Sequence, residues 1–510
     1  MDIKWDKETD VVVVGYGLAG AVTAVEASDA GAAVTILEKS GHPGGCSILS
    51  GGGVTCARDV SAATDYLTVT SGGRVGESLV RAYARDMVAN EAYLRKLAQV
   101  SQAMVKADIE AGGGGKAALG RGYPFPGRET FYRARVAEIP GFNGFPWVQR
   151  LNPAGVNLMK VALDNVACRR IEVGLATPGR RLVTDAAGAV TGIVAESQGR
   201  ELAIRARRAV VLACGGFEQN RWMLQQYLQG QPFYSMAPLT HTGDGVVMAQ
   251  KVGAALWHMG HVHASYGFKF PEFPIAFRHI VGGPRNPRRV MPWVVVDKYG
   301  RRYMNEYPLM PQDTAHRAME IFDPDMPGYP RIPSYIVFDE AGRKRGPMAA
   351  PLSSGDQVYQ WSQDNRAEIS KGWILQAGGI DDLALKVRET AEDEGKMDGG
   401  VLAATIAVWN EMVAAGKDLF HRLAGTMAAI GEAPFYAVPV WPVITNTQGG
   451  PQHDEGQRVI DAFGQPIPRL YAAGELGSFW GHLYLLGSNL SECFSSGRNA
   501  GRNAAGEPSR

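Results

Sequence analysis

Residues 10–38 constrain the fold of this chain more than any other stretch. Residues 11–14 are four consecutive valines, a pattern typical of a strand that is buried on both faces. The sequence GYGLAG (15–20) follows at once, residues 21–31 predict a helix that ends at a glycine, and residues 33–37 predict a second strand that ends at Glu38. This order of strand, glycine-rich turn, helix, strand and acid predicts a dinucleotide-binding α/β domain.

Each residue type in this unit has a physical reason. Gly15 permits the tight turn, and Gly17 lets backbone amides approach a pyrophosphate. Gly20 lets the helix pack closely against the strand, and the helix N-terminus faces the phosphate charge. Glu38 follows 18 residues after Gly20, where its carboxylate can accept hydrogen bonds from ribose hydroxyls. By itself the motif does not separate FAD from NAD.

The stretch GHPGGCSILSGGG (41–53) favours FAD. It contains six glycines in thirteen positions, directly after the acid expected at the ribose. Such an open backbone suits a large flat ligand that extends beyond the diphosphate, and FAD is the larger cofactor in that direction.

Composition and charge exclude several classes of protein. The chain has 510 residues with 52 basic and 51 acidic side chains, so no basic field attracts nucleic acid or an anionic membrane. Five dispersed cysteines without a CxxC pair argue against a disulfide scaffold. No apolar run approaches the about 20 residues of a membrane span. The charged N-terminus shows no signal peptide, so we expect a cytoplasmic protein.

One histidine cluster, HMGHVH, could suggest a metal site. His258, His261 and His263 are spaced three and two residues apart, which places them on no common helix or strand face. No acidic residue is close in sequence. We therefore expect no metal.

Further motifs continue along nearly the whole chain. They are AVVLACGGFEQN (209–220), HTGDGVVMAQKVGA (241–254), YGRRYMNE (299–306), LAATIAVWNEMVAAGKDLF (402–420), TNTQGG (445–450), RLYAAGE (469–475) and GSNLSECFSSGRNAG (487–501). Together with VVVVGYGLAG they make the chain resemble the fumarate reductase/succinate dehydrogenase flavoprotein superfamily, and within it the 3-ketosteroid dehydrogenases most of all. The resemblance implies a Rossmann-like, glutathione-reductase-like FAD-binding domain with an inserted α+β capping domain. The FAD-binding domain is expected at 1–263 and 435–510, and the cap at 264–434.

The resemblance also implies contacts to FAD. Glu38 and Lys39 should meet the adenosine ribose, Val183 should reach the adenine, and Asp244 should lie near the flavin. The positive end of the last helix should face the flavin. The other expected contacts are Gly15, Gly17, Leu18, Ala19, Gly20, Gly45, Cys46, Ser47, Gly51, Gly52, Ala213, Gly215, Gly474, Glu475, Ser488, Asn489 and Leu490. Some relatives tether FAD through a histidine in the stretch that corresponds to residues 44–53, which contains none here, so we expect non-covalent FAD.

Four departures from the fumarate reductases bear on the substrate. Those enzymes hold a dianionic substrate with two histidines and two arginines, and alignment on the flanking motifs places Ser265, Met310, Asn446 and Leu485 at these positions. Two carboxylates without cationic partners would be costly in a closed cleft. The sequence therefore predicts a neutral, apolar substrate.

The resemblance implies a ketone substrate and a tyrosine that polarises its carbonyl. Tyr484 lies three residues before Gly487, the offset found in delta-4 ketosteroid enzymes, although Leu486 replaces the serine of that pattern. We expect the Tyr484 hydroxyl and the Gly487 amide to hold the carbonyl oxygen. For the catalytic base, Tyr307 is the first candidate, with Tyr266 and Tyr123 as alternatives. A tyrosine base needs a pKa well below its usual value of about 10.

These expectations define a leading function and two alternatives. The first is an FAD-dependent dehydrogenase that desaturates a steroid-like or smaller cyclic ketone and passes electrons to an external quinone or dye-like acceptor. The second is a reductase of enones or unsaturated carboxylates, with an acid anchored by Arg317 or Arg278. The third is a non-catalytic flavin-binding redox sensor or subunit. The oligomeric state is left open.

Overall fold

The structure is a computed structural model that describes residues 3–108, 122–148, 153–279, 290–354 and 357–510. The chain forms two compact units. Unit 1 comprises Met1–Met223, Ala237–Val262 and Asn446–Arg510, and unit 2 comprises Leu224–Met236 and His263–Thr445. Their identification as an FAD-binding domain and a cap stays a prediction.

The secondary structure contains both helices and strands. The helices are α1 (Leu18–Asp29), α2 (Gly45–Ile48), α3 (Val60–Ser71), α4 (Glu77–Ala98), α5 (Ala154–Cys168), α6 (Arg221–Tyr227), α7 (Asp244–Lys251), α8 (Pro311–Thr314), α9 (Glu340–Arg343), α10 (Arg366–Ser370), α11 (Ile380–Arg388), α12 (Gly399–Ala415) and α13 (Ser488–Gly506). The strands are β1 (Lys7–Val14), β2 (Val34–Leu37), β3 (Gly53–Ala57), β4 (Met104–Ala107), β5 (Phe131–Glu138), β6 (Glu172–Gly174), β7 (Gly179–Thr184), β8 (Val190–Ser197), β9 (Arg200–Leu212), β10 (Tyr234–Ser235), β11 (Leu256–Trp257), β12 (Val262–Phe268), β13 (Phe277–Arg278), β14 (Trp293–Val296), β15 (Ser334–Phe338), β16 (Leu352–Ser354), β17 (Gln357–Tyr359), β18 (Leu375–Ala377), β19 (Phe435–Thr447), β20 (Gly450–Pro451), β21 (Arg458–Ile460) and β22 (Pro466–Ala472). No helix among the described residues is long and apolar enough to cross a bilayer.

Unit 1 is built on a sheet whose central strand is β1. The strand order is β21-β22-β9-β1-β2-β6, and the β7–β8 hairpin extends from β9. β1 is parallel to both neighbours, with Val12 opposite Thr35 on β2 and Val210 on β9. The four valines of β1 are buried, as expected for a strand covered on both faces. The predicted α/β fold is confirmed.

The turn between β1 and α1 depends on two glycines. Gly15 has φ +110°, which favours glycine strongly. A β-carbon on Gly20 would lie 2.0 Å from the Gly15 carbonyl oxygen, so only glycine permits this close contact. The two residues together fix the N-terminus of α1 at the end of β1.

Helix α13 packs against α1 through a seam of small residues. A β-carbon on Gly497 would lie 2.9 Å from the Ala19 carbonyl oxygen, and one on Gly501 would lie 2.5 Å from the Thr23 carbonyl oxygen. Because contact positions rise together along both helices, the two helices run in the same direction. The glycines of SSGRNAG thus position the start of α13.

Unit 2 surrounds a mixed sheet with strand order β13-β12-β19-β15-β14, and β10 and β18 also pair with β19. One face of this unit holds an aromatic core that includes Tyr266, Phe268, Phe277, Trp361 and Trp373. Helices α11 and α12 contribute to a second apolar cluster.

Unit 2 also contains a buried cluster of four charges. The Glu306 carboxylate accepts hydrogen bonds from Arg302 Nε at 2.7 Å and from Arg422 Nη1 at 3.1 Å, and Arg302 also pairs with Asp418. The side chains of all four residues are at most 5% exposed. Two cations balance two anions, so each charge compensates the desolvation of the others.

We expect Glu306→Ala to lower the free energy of unfolding by about 3–5 kcal/mol, because it leaves two buried guanidinium groups without their shared anion. Urea denaturation of the full chain measures this. Glu432→Ala is the matched control, since its ion pair with Lys344 is more than half exposed on both sides, and it should cost less than about 1 kcal/mol. Equal losses in the two variants would contradict the prediction.

Candidate active site

A cavity in unit 1 lies at the carboxyl ends of β1, β2 and β9. This edge is where ligands bind in open α/β sheets. The predicted cofactor contacts that line it are Gly15, Gly17, Leu18, Ala19, Glu38, Lys39, Gly45, Cys46, Ser47, Ala213, Gly215, Asp244 and Glu475. The structure thus brings together residues from six distant segments of the sequence.

Eight predicted contacts do not line this cavity: Gly20, Gly51, Gly52, Val183, Gly474, Ser488, Asn489 and Leu490. Their contacts to FAD stay predictions, and two of the glycines have packing roles as well. A β-carbon on Gly52 would lie 2.3 Å from the Ala154 carbonyl oxygen, and one on Gly474 would lie 2.7 Å from the Ala19 β-carbon. Val183 lies on β7, whose opposite end, Gly179, reaches the cavity.

The cavity also contains residues that the sequence analysis missed. They are Val14, Tyr16, Leu37, Gly179, Cys214, Thr240, His241, Thr242, Met248, Ala473 and Cys493. Cys214, His241 and Thr242 stand inside motifs that carried the resemblance, so closer attention to those motifs could have found them.

The Glu38 carboxylate is held rigidly at the end of β2. Its Oε2 accepts a hydrogen bond from the Tyr16 amide at 2.8 Å, and its Oε1 accepts one from the Ser40 amide at 2.7 Å. Each carboxylate oxygen retains a further lone pair, so the group can accept hydrogen bonds from ligand hydroxyls.

Lys39 and Asp244 form an ion pair in the cavity. Lys39 Nζ donates to Asp244 Oδ2 at 2.8 Å and to the Thr240 carbonyl at 3.2 Å. The two side chains therefore lie together, next to Glu38. The expected contacts of Lys39 with the ribose and of Asp244 with the flavin stay predictions.

Glu218, His241 and Glu475 form an acid cluster that the sequence analysis did not find. Glu218 accepts hydrogen bonds from the Thr447 amide at 2.6 Å and from His241 Nδ1 at 3.1 Å. A β-carbon on Gly216 would lie within 3 Å of Glu218, Glu475 and Thr447, so the GG of ACGGF lets the groups converge. No local pattern signals this cluster, because its three members come from three separate segments.

The two carboxyls of this cluster have opposite protonation behaviour. Burial, and then the charge of Glu218, raises the pKa of Glu475 well above its usual range. Burial alone would raise the pKa of Glu218 too, but hydrogen bonds from Glu475 and His241 hold it at about 2. The pair therefore shares one proton, as close carboxyls in a low-dielectric site do. Among the described residues, Glu475 Oε1 is buried without a hydrogen-bond partner, which leaves it available to a ligand hydroxyl.

Cys46, His241 and Glu475 also bring potential metal-ligating atoms within 4.8 Å of one another. The Cys46 Sγ lies 3.8 Å from His241 Nδ1. Burial raises the pKa of the Cys46 thiol well above its usual range, which opposes the thiolate that a metal needs. The expectation of no metal stays a prediction.

The structure brings Tyr484 and Gly487 together, but in a different relation from the expected one. The Tyr484 hydroxyl accepts hydrogen bonds from the Gly487 and Asn489 amides, each at 3.2 Å. The Gly487 amide therefore donates to the phenol rather than standing beside it as a second donor to a ligand. Both amides belong to the N-terminus of α13, whose positive end faces the phenol oxygen.

The surroundings of Tyr484 are aromatic. Its ring lies 5.6 Å from the Trp480 ring in an edge-to-face arrangement, and Phe479, Tyr83 and Leu485 belong to the same apolar cluster. Burial raises the pKa of Tyr484 to about 12, although hydrogen bonds from the two amides and the charge of Arg133 oppose this shift.

The three candidate bases lie in different units. Tyr123 is in unit 1, where its backbone amide donates to the Tyr66 hydroxyl at 2.9 Å. Tyr266 and Tyr307 are in unit 2 and are fully buried. Burial, and then the charge of Glu306, raises the pKa of Tyr266 above its usual range, so this structure disfavours Tyr266 as a base.

The four positions that replace basic residues also divide between the units. In unit 1, Asn446 lies against Glu475, and Leu485 is buried in the aromatic cluster around Tyr484. In unit 2, Ser265 on β12 and Met310 are both buried. Arg317, the possible carboxylate anchor, lies 3.6 Å from Asp313.

Comparison with known proteins gives a consistent family. The FAD binding domain family matches residues 10–490. A fumarate reductase (cytochrome) of Shewanella frigidimarina is 26% identical over 97% of this chain and 77% of that protein. A 3-oxosteroid 1-dehydrogenase of Mycobacterium tuberculosis is 29% identical over 94% of each chain. The solved structure of a 3-ketosteroid delta1-dehydrogenase from Sterolibacterium denitrificans has a TM-score of 0.78 at 22% identity, covering 98% of this chain and 100% of that one, which shows a common fold.

Glu492 on α13 gives a pH-dependent prediction. Burial raises its pKa to about 7, although hydrogen bonds from Ser478 Oγ and the Phe479 amide favour its charged form. The native state therefore holds a proton that the unfolded state releases near its ordinary pKa of 4.5. Stability from this group is present below pH 4.5 and is lost as pH rises to about 7, by up to about 3 kcal/mol.

We expect Glu492→Gln to remove this loss. The difference in unfolding free energy between variant and wild type should move in favour of the variant between pH 5 and pH 8, as urea denaturation can measure. Glu432→Gln, which makes the same replacement at an exposed position, is the control. A difference that stays constant over this range would contradict the assigned protonation.

Proposed function

The chain belongs to the FAD binding domain family and is an FAD-dependent oxidoreductase, and from this premise we propose that it desaturates a neutral ketone. The substrate would be a steroid-like or smaller cyclic ketone, which loses a proton from the carbon next to its carbonyl and a hydride from the following carbon, so that a conjugated C=C bond forms. The observation that carries the proposal is the buried Tyr484 hydroxyl, held by two amides at the N-terminus of α13.

The residues of the unit 1 cavity suit FAD. The turn at Gly15 and Gly17 leaves room for a pyrophosphate against the N-terminus of α1. Glu38 offers a fixed carboxylate for ribose hydroxyls, and the buried Glu475 Oε1 gains a partner when a ribityl hydroxyl binds. When bound, FAD supplies the ring that accepts hydride. We propose that the cofactor is held non-covalently by these contacts.

Tyr484 would act as the proton donor to the substrate carbonyl. A phenol oxygen that accepts two hydrogen bonds polarises its own O–H, which makes that O–H a stronger donor. Donation to the carbonyl makes the neighbouring C–H more acidic and stabilises the enolate that forms when a base removes this proton. The Gly487 amide would act through the phenol oxygen.

The walls around Tyr484 support a neutral substrate. Trp480, Phe479 and Leu485 are apolar and buried, and the position that aligns with a substrate-binding basic residue is Leu485 itself. Leaving a carboxylate against this surface would be costly. Arg133, whose charge acts on Tyr484, donates to the Leu486 carbonyl.

The base and the electron acceptor complete the proposal. Tyr307 is the first candidate for the base and Tyr123 the second, since the high pKa of Tyr266 makes it a poor one. Desaturation with transfer of electrons to an external quinone or dye-like acceptor is the preferred direction. The same groups serve an enone reductase by microscopic reversibility.

A reductase of an unsaturated carboxylate is the second candidate function. The similarity to a fumarate reductase (cytochrome) favours it, at 26% identity over 97% of this chain. It would require a carboxylate anchor such as Arg317, and the neutral residues Ser265, Met310 and Asn446 weigh against it.

Anaerobic bleaching of the flavin by a cyclic ketone supports the first function. Reoxidation of the reduced flavin by an unsaturated acid, with no response to any ketone, supports the second.

We expect Gly17→Val to weaken FAD binding by about 10- to 100-fold without unfolding the protein. Gly17 has φ −81° and ψ −170°, and a β-carbon there would lie 3.9 Å from the nearest protein atoms, so the new side chain enters the cavity. Calorimetric titration of the FAD-free protein measures the affinity. Gly41→Ala is the control, since its β-carbon meets no atom within 4 Å. Normal affinity in Gly17→Val would mean that the pyrophosphate lies elsewhere.

We expect Tyr484→Phe to reduce the rate of flavin bleaching by a saturating cyclic ketone by about 10²–10⁴-fold, while FAD stays bound. Stopped-flow absorbance of the anaerobic half-reaction gives this rate. Tyr93→Phe is the matched control, because Tyr93 is also a buried tyrosine of unit 1 but packs against Phe494 in the main core. Near-normal bleaching in Tyr484→Phe would remove Tyr484 from the mechanism.

A further inference from the structure

We propose that Arg133 is a positioning residue that activates Tyr484 through the peptide group between Leu486 and Gly487. This inference rests on the proposed role of Tyr484 as proton donor. It assigns a function to a cation that the sequence analysis did not single out.

A continuous chain of hydrogen bonds joins the two side chains. Arg133 Nη2 donates to the Leu486 carbonyl oxygen at 2.7 Å. The amide of Gly487 belongs to the same peptide group and donates to the Tyr484 hydroxyl oxygen at 3.2 Å. The order is therefore guanidinium, carbonyl, amide and phenol, with each donor pointing toward the tyrosine.

A second donor strengthens the same carbonyl contact. Thr55 on β3 lies directly opposite Arg133 on β5 in the antiparallel ladder. Side chains at such opposed positions lie side by side on one face of a sheet. Thr55 Oγ1 donates to the Leu486 oxygen at 3.2 Å, so both members of the pair hold one acceptor.

Two glycines make room for the guanidinium. A β-carbon on Gly487 would lie 2.8 Å from Arg133 Nε and 2.9 Å from Thr55 Oγ1, and one on Gly53 would lie 3.0 Å from Arg133 Cδ. Gly487 also has φ +91°, in the left-handed region. The close approach of Arg133 to the peptide group therefore depends on the absence of a side chain at both glycines.

The direction of the bonds determines their chemical effect. A cation at the carbonyl oxygen draws electron density from the peptide and makes its N–H a stronger donor, an effect of about 10–30% per bond in a chain. The stronger amide stabilises negative charge on the Tyr484 oxygen. Burial raises the pKa of Tyr484. The charge of Arg133 lowers this pKa, and the hydrogen bond from the Gly487 amide lowers it too.

The test is a double-mutant cycle. Arg133→Met, which keeps an unbranched side chain and removes the charge, is made in the wild type and in Tyr484→Phe. The measured quantity is the rate of anaerobic flavin bleaching by the most reactive cyclic ketone of the screen. We expect a loss of about 10- to 100-fold in the wild type, as for a hydrogen bond from a charged group, with little change in KM. In Tyr484→Phe the same change should cost less than about twofold, because the group it activates is gone.

Conservative variants and a spectroscopic measurement separate activation from structure. Arg133→Lys should recover part of the rate, because an ammonium can also donate to the Leu486 oxygen. Thr55→Val, which removes the neutral donor, should cost about 2- to 10-fold. The C=O stretch of the bound unsaturated product should move toward its free value in Arg133→Met, with FAD content unchanged.

The outcomes distinguish this inference from the proposed function. Equal losses from Arg133→Met in both backgrounds, or an unchanged C=O stretch, would show a structural role only and would overturn the inference. If Arg133→Met does not fold, Thr55→Val in the two backgrounds makes the same comparison on the same carbonyl. Normal bleaching in Tyr484→Phe would instead overturn the proposed function itself.

Discussion

The close contact between α1 and α13 is the constraint on which the candidate site depends. Gly497 and Gly501 let α13 lie against the backbone of α1, with Gly497 beside Ala19 and Gly501 beside Thr23. Nine residues of α13 precede Gly497, whereas only one residue of α1 precedes Ala19. The N-terminus of α13 therefore extends about 12 Å beyond the N-terminus of α1. One packing contact thus fixes two positive helix ends, one at the dinucleotide cradle and one at Tyr484.

Burial sets the chemistry of the ionisable groups in the cavity. Glu218 and Glu475 lie so close that only one of them is charged, and His241 favours the charge on Glu218. The protonated Glu475 donates its hydrogen bond to Glu218 and is therefore a neutral surface of the cavity that can accept a hydrogen bond from a ligand hydroxyl. A site of this kind binds a ligand through hydroxyl groups without placing a second negative charge beside the phosphates of a dinucleotide.

The sequence predicted those parts of the site that short segments encode. The turn at Gly15 and the acid at Glu38 stand within one β-α-β unit, where strand and helix periodicity fix their positions. The convergence of His241 with Glu218 and Glu475, and the position of Arg133, could not be predicted, because these residues come from separate segments whose approach no periodicity reveals. The spacing of Tyr484 and Gly487 predicted their proximity, but the direction of their hydrogen bond depends on the left-handed backbone at Gly487 and could not be derived from spacing.

The two chemical roles proposed for tyrosine demand opposite environments. A proton donor must stay protonated at every working pH, and a pKa of about 12 at Tyr484 meets this requirement while the amides keep its O–H polarised. A base must lose its proton readily, and at Tyr266 burial and the charge of Glu306 raise the pKa, which weighs against that role. For the proposed tyrosine base, the criterion that separates Tyr307 from Tyr123 is therefore which of them has surroundings that favour the phenolate.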